Sequence, residues 1–201
     1  SASGGAGITF SGNDTGTEGG RWTMSDGVTF TGSGEMDNGM TVSVTFELDD
    51  ANTNGGAMDD RLLKIDTNGF GTITYQGHDS GGLIEANDDV MPHANEESWS
   101  EVSGTNTAMH GGVATTGTGS FNYTNGDLMD GLTVAVFHQP NAGTKSVKGS
   151  TEYGLTYTGV EGLTVGYVWG ENNTTTSAID NTAAYVKYAV GGFTVGYQVN
   201  D

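Results

Sequence analysis

Six carboxylates stand in one segment that lacks the regular alternation found in the rest of the chain. The segment runs from about residue 77 to 119, and its acidic residues are Glu85, Asp88, Asp89, Glu96, Glu97 and Glu101. Carboxylates lining a narrow passage attract cations and slow anions. The alternative is an outer loop whose charges are solvated, although a loop this long in a compact chain is usually functional or disordered. The chemistry that these residues indicate is electrostatic selection of ions.

Acidic pairs also suggest a Ca²⁺ site, because Ca²⁺ prefers carboxylate and carbonyl oxygens. The pairs are Asp49-Asp50 with Asp59-Asp60, and Asp88-Asp89. Neither set has the spacing of a helix–loop–helix calcium motif or of a calcium-binding solenoid repeat. The four histidines are scattered without ligand spacing, and there is no Cys for a thiolate site. We therefore expect no resident cofactor, with Ca²⁺ in the acidic loops as the remaining alternative.

Motifs and charge argue against two broad classes of function. The sequence has no Gly-x-Ser-x-Gly elbow, no phosphate-binding loop and no recognisable Ser, His and Asp set. With 6 basic and 25 acidic residues, the net charge of -19 would repel a phosphate backbone. The chain is predicted to be neither an enzyme nor a nucleic-acid-binding protein.

The elements that must position the carboxylates are β-strands. A Gly-x-Thr-Val motif begins at Gly39, Gly131, Gly162 and Gly192, each time after a tight turn and before an alternating run. In the run after Gly162, the apolar face carries Leu163, Val165, Tyr167 and Trp169, and Val168 is an imperfect member of the polar face. Period-two alternation is the signature of a strand with one apolar face. The repeating unit is therefore a hairpin.

Alternating runs of this kind predict an all-β domain over residues 1–201 with about 11 strands. The strands are expected to be about 9 to 11 residues long, the length of a tilted bilayer crossing. Short turns, among them Asn125-Gly-Asp, alternate with loops of ten or more residues. The short turns should all lie at one end of the sheet.

Short turns at one rim and long loops at the other are typical of outer-membrane barrels. A soluble β-sandwich also alternates apolar and polar positions. The polar face here is almost entirely Thr, Ser, Gln, Gly and charged residues, as a wet lumen requires. Aromatic residues lie on the apolar face, several near strand ends, where an interfacial girdle would be. The pattern favours an antiparallel transmembrane β-barrel.

Taken together, the Gly-x-Thr-Val strand starts, the Asn-Gly turns and the long acidic loop after the fifth strand resemble the 16-stranded general porins of Gram-negative outer membranes, particularly the alphaproteobacterial type. The resemblance covers the whole chain and implies that residues 77–119 are a third loop folded into the lumen. It also implies a homotrimer in contact with outer-membrane lipid. With about 11 strands and an end at Asp201, the chain is expected to be roughly the N-terminal two thirds of such a barrel, incomplete at its C-terminus.

Basic residues on the polar face complete the expected pore. Arg21 and Lys64 fall on that face of early strands, where a barrel could set them across the constriction from the loop; surface ion pairing is the alternative. Lys187 is a weaker candidate. The function we expect is a passive, water-filled channel for small hydrophilic solutes and ions that prefers cations. The alternative is a secreted or surface β-protein that binds calcium or glycans through its acidic loops.

Overall fold

The computed structural model describes residues 1–11, 21–49, 60–77, 82–87, 90, 119–140, 149–172 and 179–201. These residues form eleven strands and one short 3₁₀ turn, Glu85–Asn87. In chain order the strands are β1 (Ala2–Ser11), β2 (Arg21–Glu35), β3 (Thr41–Asp49), β4 (Arg61–Asp66), β5 (Thr72–Gln76), β6 (Ser120–Met129), β7 (Leu132–Gln139), β8 (Ser150–Tyr157), β9 (Leu163–Asn172), β10 (Ile179–Val190) and β11 (Phe193–Asn200). The predicted all-β class and strand number are confirmed.

The eleven strands form a single sheet in sequence order, with β1 and β11 at its edges. Every neighbouring pair is antiparallel. Because each strand reverses direction, the five short connections, after β2, β4, β6, β8 and β10, all lie at one end of the sheet. The long connections lie at the other end, as predicted.

The short turns depend on glycines with positive φ, a backbone conformation that residues with a Cβ rarely adopt. Each of these turns contains such a glycine: Gly39, Gly69, Gly131, Gly162 and Gly191. At Gly162 a Cβ would also overlap the carbonyl oxygen of Ala189 on the neighbouring hairpin. In the fourth motif copy the positive φ falls on Gly191 and not on Gly192, so the motif marks the turn but shifts by one residue.

The predicted turn at Asn125-Gly-Asp is wrong. Strand β6 continues to Met129, and the chain reverses at Asp130 and Gly131. The Asn125 side chain accepts a hydrogen bond from the backbone N–H of Asp127 at 2.8 Å, and the pairing with β7 is irregular between Asn125 and Met129. The Asn-Gly pair therefore forms a bulge within the hairpin, because such a side-chain bond competes with the ladder.

Strand lengths vary more than the expected 9 to 11 residues. Strand β2 has 15 residues, whereas β5, which leads into the long acidic segment, has only 5. Alternation marks where a strand runs, but the ladder ends where the partner strand ends. The sheet is therefore shortest along the strand direction next to the start of that segment.

The two faces of the sheet differ as the alternation predicted. The face that we call the apolar face leaves large hydrophobic side chains exposed, among them Phe10, Trp22, Phe46, Ile73, Leu155, Tyr167, Val186 and Tyr197. A soluble sandwich would bury these side chains under a second sheet, but the described residues form one sheet only. Most of the buried strand residues, among them Phe137, Glu152, Val168 and Tyr185, belong to the opposite, polar face.

That polar face carries the small core of the described structure. Leu83 and Ile84, from the segment between β5 and β6, pack with Phe137 of β7 and Val168 of β9. We call residues 82–87 the docked segment. Its position against the polar face brings part of the long acidic segment onto the sheet.

Candidate functional site

Two apolar side chains hold the docked segment on the polar face. Ile84 is 1% exposed and Leu83 is 9% exposed, and Ala135 adds a partly buried contact to their cluster. Gly154 of β8 lies beneath Leu83, whose Cδ1 would be 3.4 Å from a Cβ at that position. Val168, the imperfect member of its strand, is thereby explained, since it is apolar because the docked segment covers it.

The backbone of the docked segment makes a compact turn. The N–H of Ala86 donates to the carbonyl of Gly82 at 3.1 Å, and the N–H of Asn87 donates to that of Ile84 at 2.9 Å. The Asn87 side chain donates to the carbonyl of Leu83 at 2.6 Å. These bonds within six residues fix the shape of the turn.

Two polar side chains of the sheet bind the segment. Glu152 of β8 accepts a hydrogen bond from the N–H of Ile84 at 2.9 Å from Oε2, and its side chain is completely buried. Gln198 of β11 donates from Nε2 to the carbonyl of Asn87 at 2.8 Å. The sequence reasoning missed both residues. The available signal was a Glu on the polar face of β8, whose other polar-face residues are Ser, Gly and Thr.

Glu85 is the one predicted site carboxylate that falls within the described residues. It is exposed at the start of the 3₁₀ turn, so its charge remains available to solvent while Leu83 and Ile84, just before it, are buried. The predictions for the other loop carboxylates concern residues outside the described structure: Asp88, Asp89, Glu96, Glu97 and Glu101.

The predicted basic residues lie on early strands. Lys64 is exposed in β4, paired in register with Ser43 on one side and Thr74 on the other. Arg21 begins β2 opposite Ser11, and its side chain lies outside the described structure. Both positions belong to the polar face by their register. Among the described residues, no hydrogen bond or ion pair joins the Lys64 side chain to the docked segment.

A third cation, Lys187 of β10, lies near the polar-face side chain of Tyr185. Its Nζ is 5.5 Å from the centre of the Tyr185 ring, a cation–π distance. Tyr185 itself is buried and covers Gly166 of β9, where a Cβ would overlap the ring. This arrangement packs the wall and holds the Lys187 amine beside it.

Aromatic side chains of the apolar face cluster near strand ends. At the end with the long connections, Trp169 stacks with both Tyr153 and Tyr167 at 5.4 Å between ring centres. Two more pairs lie on that side, Phe10 with Trp22 at 4.9 Å and Tyr75 with Phe121 at 5.1 Å. Near the short turns, Phe70, Tyr188 and Phe193 are exposed. Aromatic rows at both ends of an apolar band are typical of membrane interfaces.

In the described part of the structure, no helix is long and apolar enough to cross a membrane. No group of three or more His, Asp or Glu side chains in the same part of the chain could hold a metal ion.

Comparison with known families decides the identity of this sheet. The family model described as Gram-negative porin matches residues 1–201. The chain belongs to the Gram-negative porin family. A comparison with curated proteins gave no significant match.

Solved porin structures share the fold. A triple mutant of Rhodopseudomonas blastica porin has a TM-score of 0.52 at 17% sequence identity, with 100% of this chain and 84% of that chain covered. A complex of Salmonella typhi OmpF with daunomycin has a TM-score of 0.67 at 15% identity, with 97% and 62% covered. At these identities the likeness is one of fold.

Membership of the porin family assigns the two faces. Porins are outer-membrane β-barrels, and their strands alternate between lipid-facing and lumen-facing residues. The exposed apolar face with its aromatic rows is therefore the lipid side of a transmembrane sheet. The polar face, on which the docked segment lies, is the lumen side.

Proposed function

We propose that this porin is a general diffusion channel of the outer membrane, passive and water-filled, for small hydrophilic solutes and ions, with a preference for cations. Transport through such a channel needs no covalent chemistry and no cofactor. What the wall must supply is a lumen of suitable width and charge.

The observation that carries the proposal is the docked segment on the polar face of the sheet. A loop that leaves β5 and lies against the wall narrows the lumen, and we propose that residues 77–119 do this as the third loop. Leu83 and Ile84 bury the apolar side of the segment, while Glu85 remains exposed. An exposed carboxylate at a narrow point raises the local concentration of cations and lowers that of anions.

We extend the proposal to Asp88, Asp89, Glu96, Glu97 and Glu101, which follow in the same loop. Arg21 and Lys64 on the opposite wall would then create a field across the constriction. The support for this part is the register of β1 with β2 and of β3 with β4, which assigns both residues to the polar face. A field of this kind orients dipolar solutes as they pass.

The proposed assembly is a homotrimer embedded in outer-membrane lipid. Its support is the resemblance to general porins and the broad apolar face, whose exposed side chains run from β1 to β11. Part of that face would contact neighbouring subunits and the rest would contact lipid.

Reversal potentials of the full-length protein in planar bilayers test the cation preference. The variant Glu85→Gln, Asp88→Asn, Asp89→Asn removes three loop charges. A carboxylate about 6 Å from the permeating ion contributes roughly 0.4 kcal/mol after screening at 0.1 M salt, with opposite sign for cation and anion. The permeability ratio should therefore fall by about fourfold for each charge that faces the pore.

A matched control removes three carboxylates from the short turns: Asp37→Asn, Asp130→Asn and Glu161→Gln. These residues are exposed at the end of the sheet opposite the loop. The control should keep most of the cation preference. Equal effects of the two triple variants would mean that net charge and not the loop sets selectivity.

A further inference from the structure

Glu152 is a buried carboxylate that the proposed transport function does not use directly. It lies on the lumen side of β8 with 0% of its surface exposed. The docked segment covers it at Gly82, and β9 flanks it at Gly170. A Cβ at either glycine would overlap the Glu152 side chain, so both positions leave space for it.

The hydrogen bonds of Glu152 indicate a positioning role. Its Oε2 accepts the N–H of Ile84, whereas Oε1 is buried and accepts no hydrogen bond from the described residues. Burying a carboxylate with incomplete partners costs free energy, and apolar residues can often replace such groups without loss of stability. Wall stability alone therefore explains Glu152 poorly. Its specific contribution is to fix the place where one backbone amide of the docked segment must lie.

A second side chain fixes the other end of the segment. Gln198, on β11, donates to the carbonyl of Asn87, 111 positions away in sequence. Glu152 accepts a hydrogen bond from a backbone N–H of the segment, whereas the Gln198 amide donates one to a backbone carbonyl. Together the two contacts define the direction of the segment along the wall. The apolar contacts of Leu83 and Ile84 lie between them.

We propose that Glu152, with Gln198 as the second contact, is the positioning residue that holds the third loop on the lumen wall and thereby fixes the width of the constriction. The inference rests on the proposed function, since it assumes that the loop lies within a lumen. It concerns the place of the loop, whereas the selectivity of the channel depends on the loop charges.

Cysteine accessibility tests this inference, because the chain contains no Cys and a single introduced thiol is unique. Ala135→Cys places that thiol on β7, packed against the cluster of Leu83 and Ile84, and leaves both apolar side chains of the docked segment in place in the full-length protein. With Glu152 present, a charged thiol reagent should label it slowly. In the double variant with Glu152→Ala, labelling should be about 10-fold faster or more, because a buried hydrogen bond is lost and the N–H of Ile84 is left without its acceptor.

Two further variants at Glu152 keep the test decisive. Glu152→Gln retains an acceptor for the Ile84 N–H, so labelling should stay within about 3-fold of the Glu152 background. Glu152→Asp keeps the carboxyl group but withdraws it by one methylene, so labelling should rise as with Glu152→Ala. This variant serves if the Ala variant does not fold. Unchanged labelling in the Ala or Asp variant overturns the proposal, and so does a Gln variant that labels as fast as Ala.

The matched control is Glu85→Cys, whose position is exposed. Its thiol should react at the same fast rate with and without Glu152. Labelling reports the seating of the loop and does not depend on ion selectivity. Slow labelling in every variant would overturn the role of Glu152, whereas loss of cation preference only in the short-turn control would overturn the proposed function.

Discussion

Truncation of Ile84 should release the docked segment while the sheet stays folded. Ile84 is 1% exposed and belongs to the cluster with Leu83, Phe137 and Val168. Replacing a buried Ile by Ala costs about 2–5 kcal/mol, and less where the surroundings can settle into the gap. The segment lies at the surface of the sheet, so we expect about 2–3 kcal/mol. This corresponds to a shift of about 30- to 150-fold toward the released form.

Hydrogen exchange of the full-length protein in detergent micelles measures this shift. The informative amides are those of Ile84, Ala86 and Asn87, which donate to Glu152, Gly82 and Ile84 respectively. Their exchange rates should rise by the same factor of about 30 to 150 if local opening limits exchange. Amides of β7 to β9 should keep their protection, because their ladder bonds do not involve the docked segment.

The control for Ile84→Ala is Ile8→Ala, the same chemical change on the apolar face of β1. Ile8 is 70% exposed in the sheet and touches no part of the docked segment's apolar cluster. Its truncation should leave exchange in residues 82–87 unchanged. Equal protection of the segment in both variants would refute the claim that the Ile84 side chain holds the docked segment on the sheet. Loss of protection in β7 to β9 together with the segment would refute the claim that the docked segment can open while these strands stay folded.

Two further predictions concern the turns and the opposite wall. Gly131→Ala should lower the stability of the folded protein, measured by urea unfolding in lipid vesicles, by about 3 kcal/mol or more, because φ is +73° and a Cβ would overlap the backbone of Gly159. Gly191→Ala, with φ at +59° and open space around the Cβ, should cost only about 1–2 kcal/mol, and equal costs would contradict the steric argument. Lys64→Gln should increase cation preference in bilayers. Arg61→Gln should change it less, because Arg61 pairs with Phe46 of the apolar face. Equal changes in cation preference for the two variants would mean that Lys64 and Arg61 both act at the channel mouth.

Alternation in the sequence predicts the sheet well because the two faces meet different environments. Leu163, Val165, Tyr167 and Trp169 all face one way, and the register of β9 with β10 agrees. The same reasoning fails for turn position at Asn125, where a local side-chain bond makes a bulge that resembles a turn in sequence. Strand ends depend on partners and cannot be read from one strand.

The candidate site is harder to predict from the sequence than the sheet is, because its contacts join residues that are far apart in the chain. Val168 and Phe137 break the polar pattern of their face, which marks them as covered positions but does not show what covers them. Glu152 and Ile84 are 68 positions apart. A Glu among Thr and Gly on a wet face looks like a solvated charge until the segment above it is known.

The contacts that hold the docked segment on the sheet are of the kind that an acidic loop requires. A chain with 25 acidic and 6 basic residues has few cations with which to fix an acidic loop by ion pairs. Such pairs would also neutralise the carboxylates that the proposed channel needs for cation preference. Backbone N–H donation to Glu152 and apolar burial of Leu83 and Ile84 hold the segment without using Glu85. Substitutions can therefore strengthen or weaken these contacts while the charge that the loop presents to the lumen stays constant. For this reason the position of the docked segment and the ion selectivity can be measured separately.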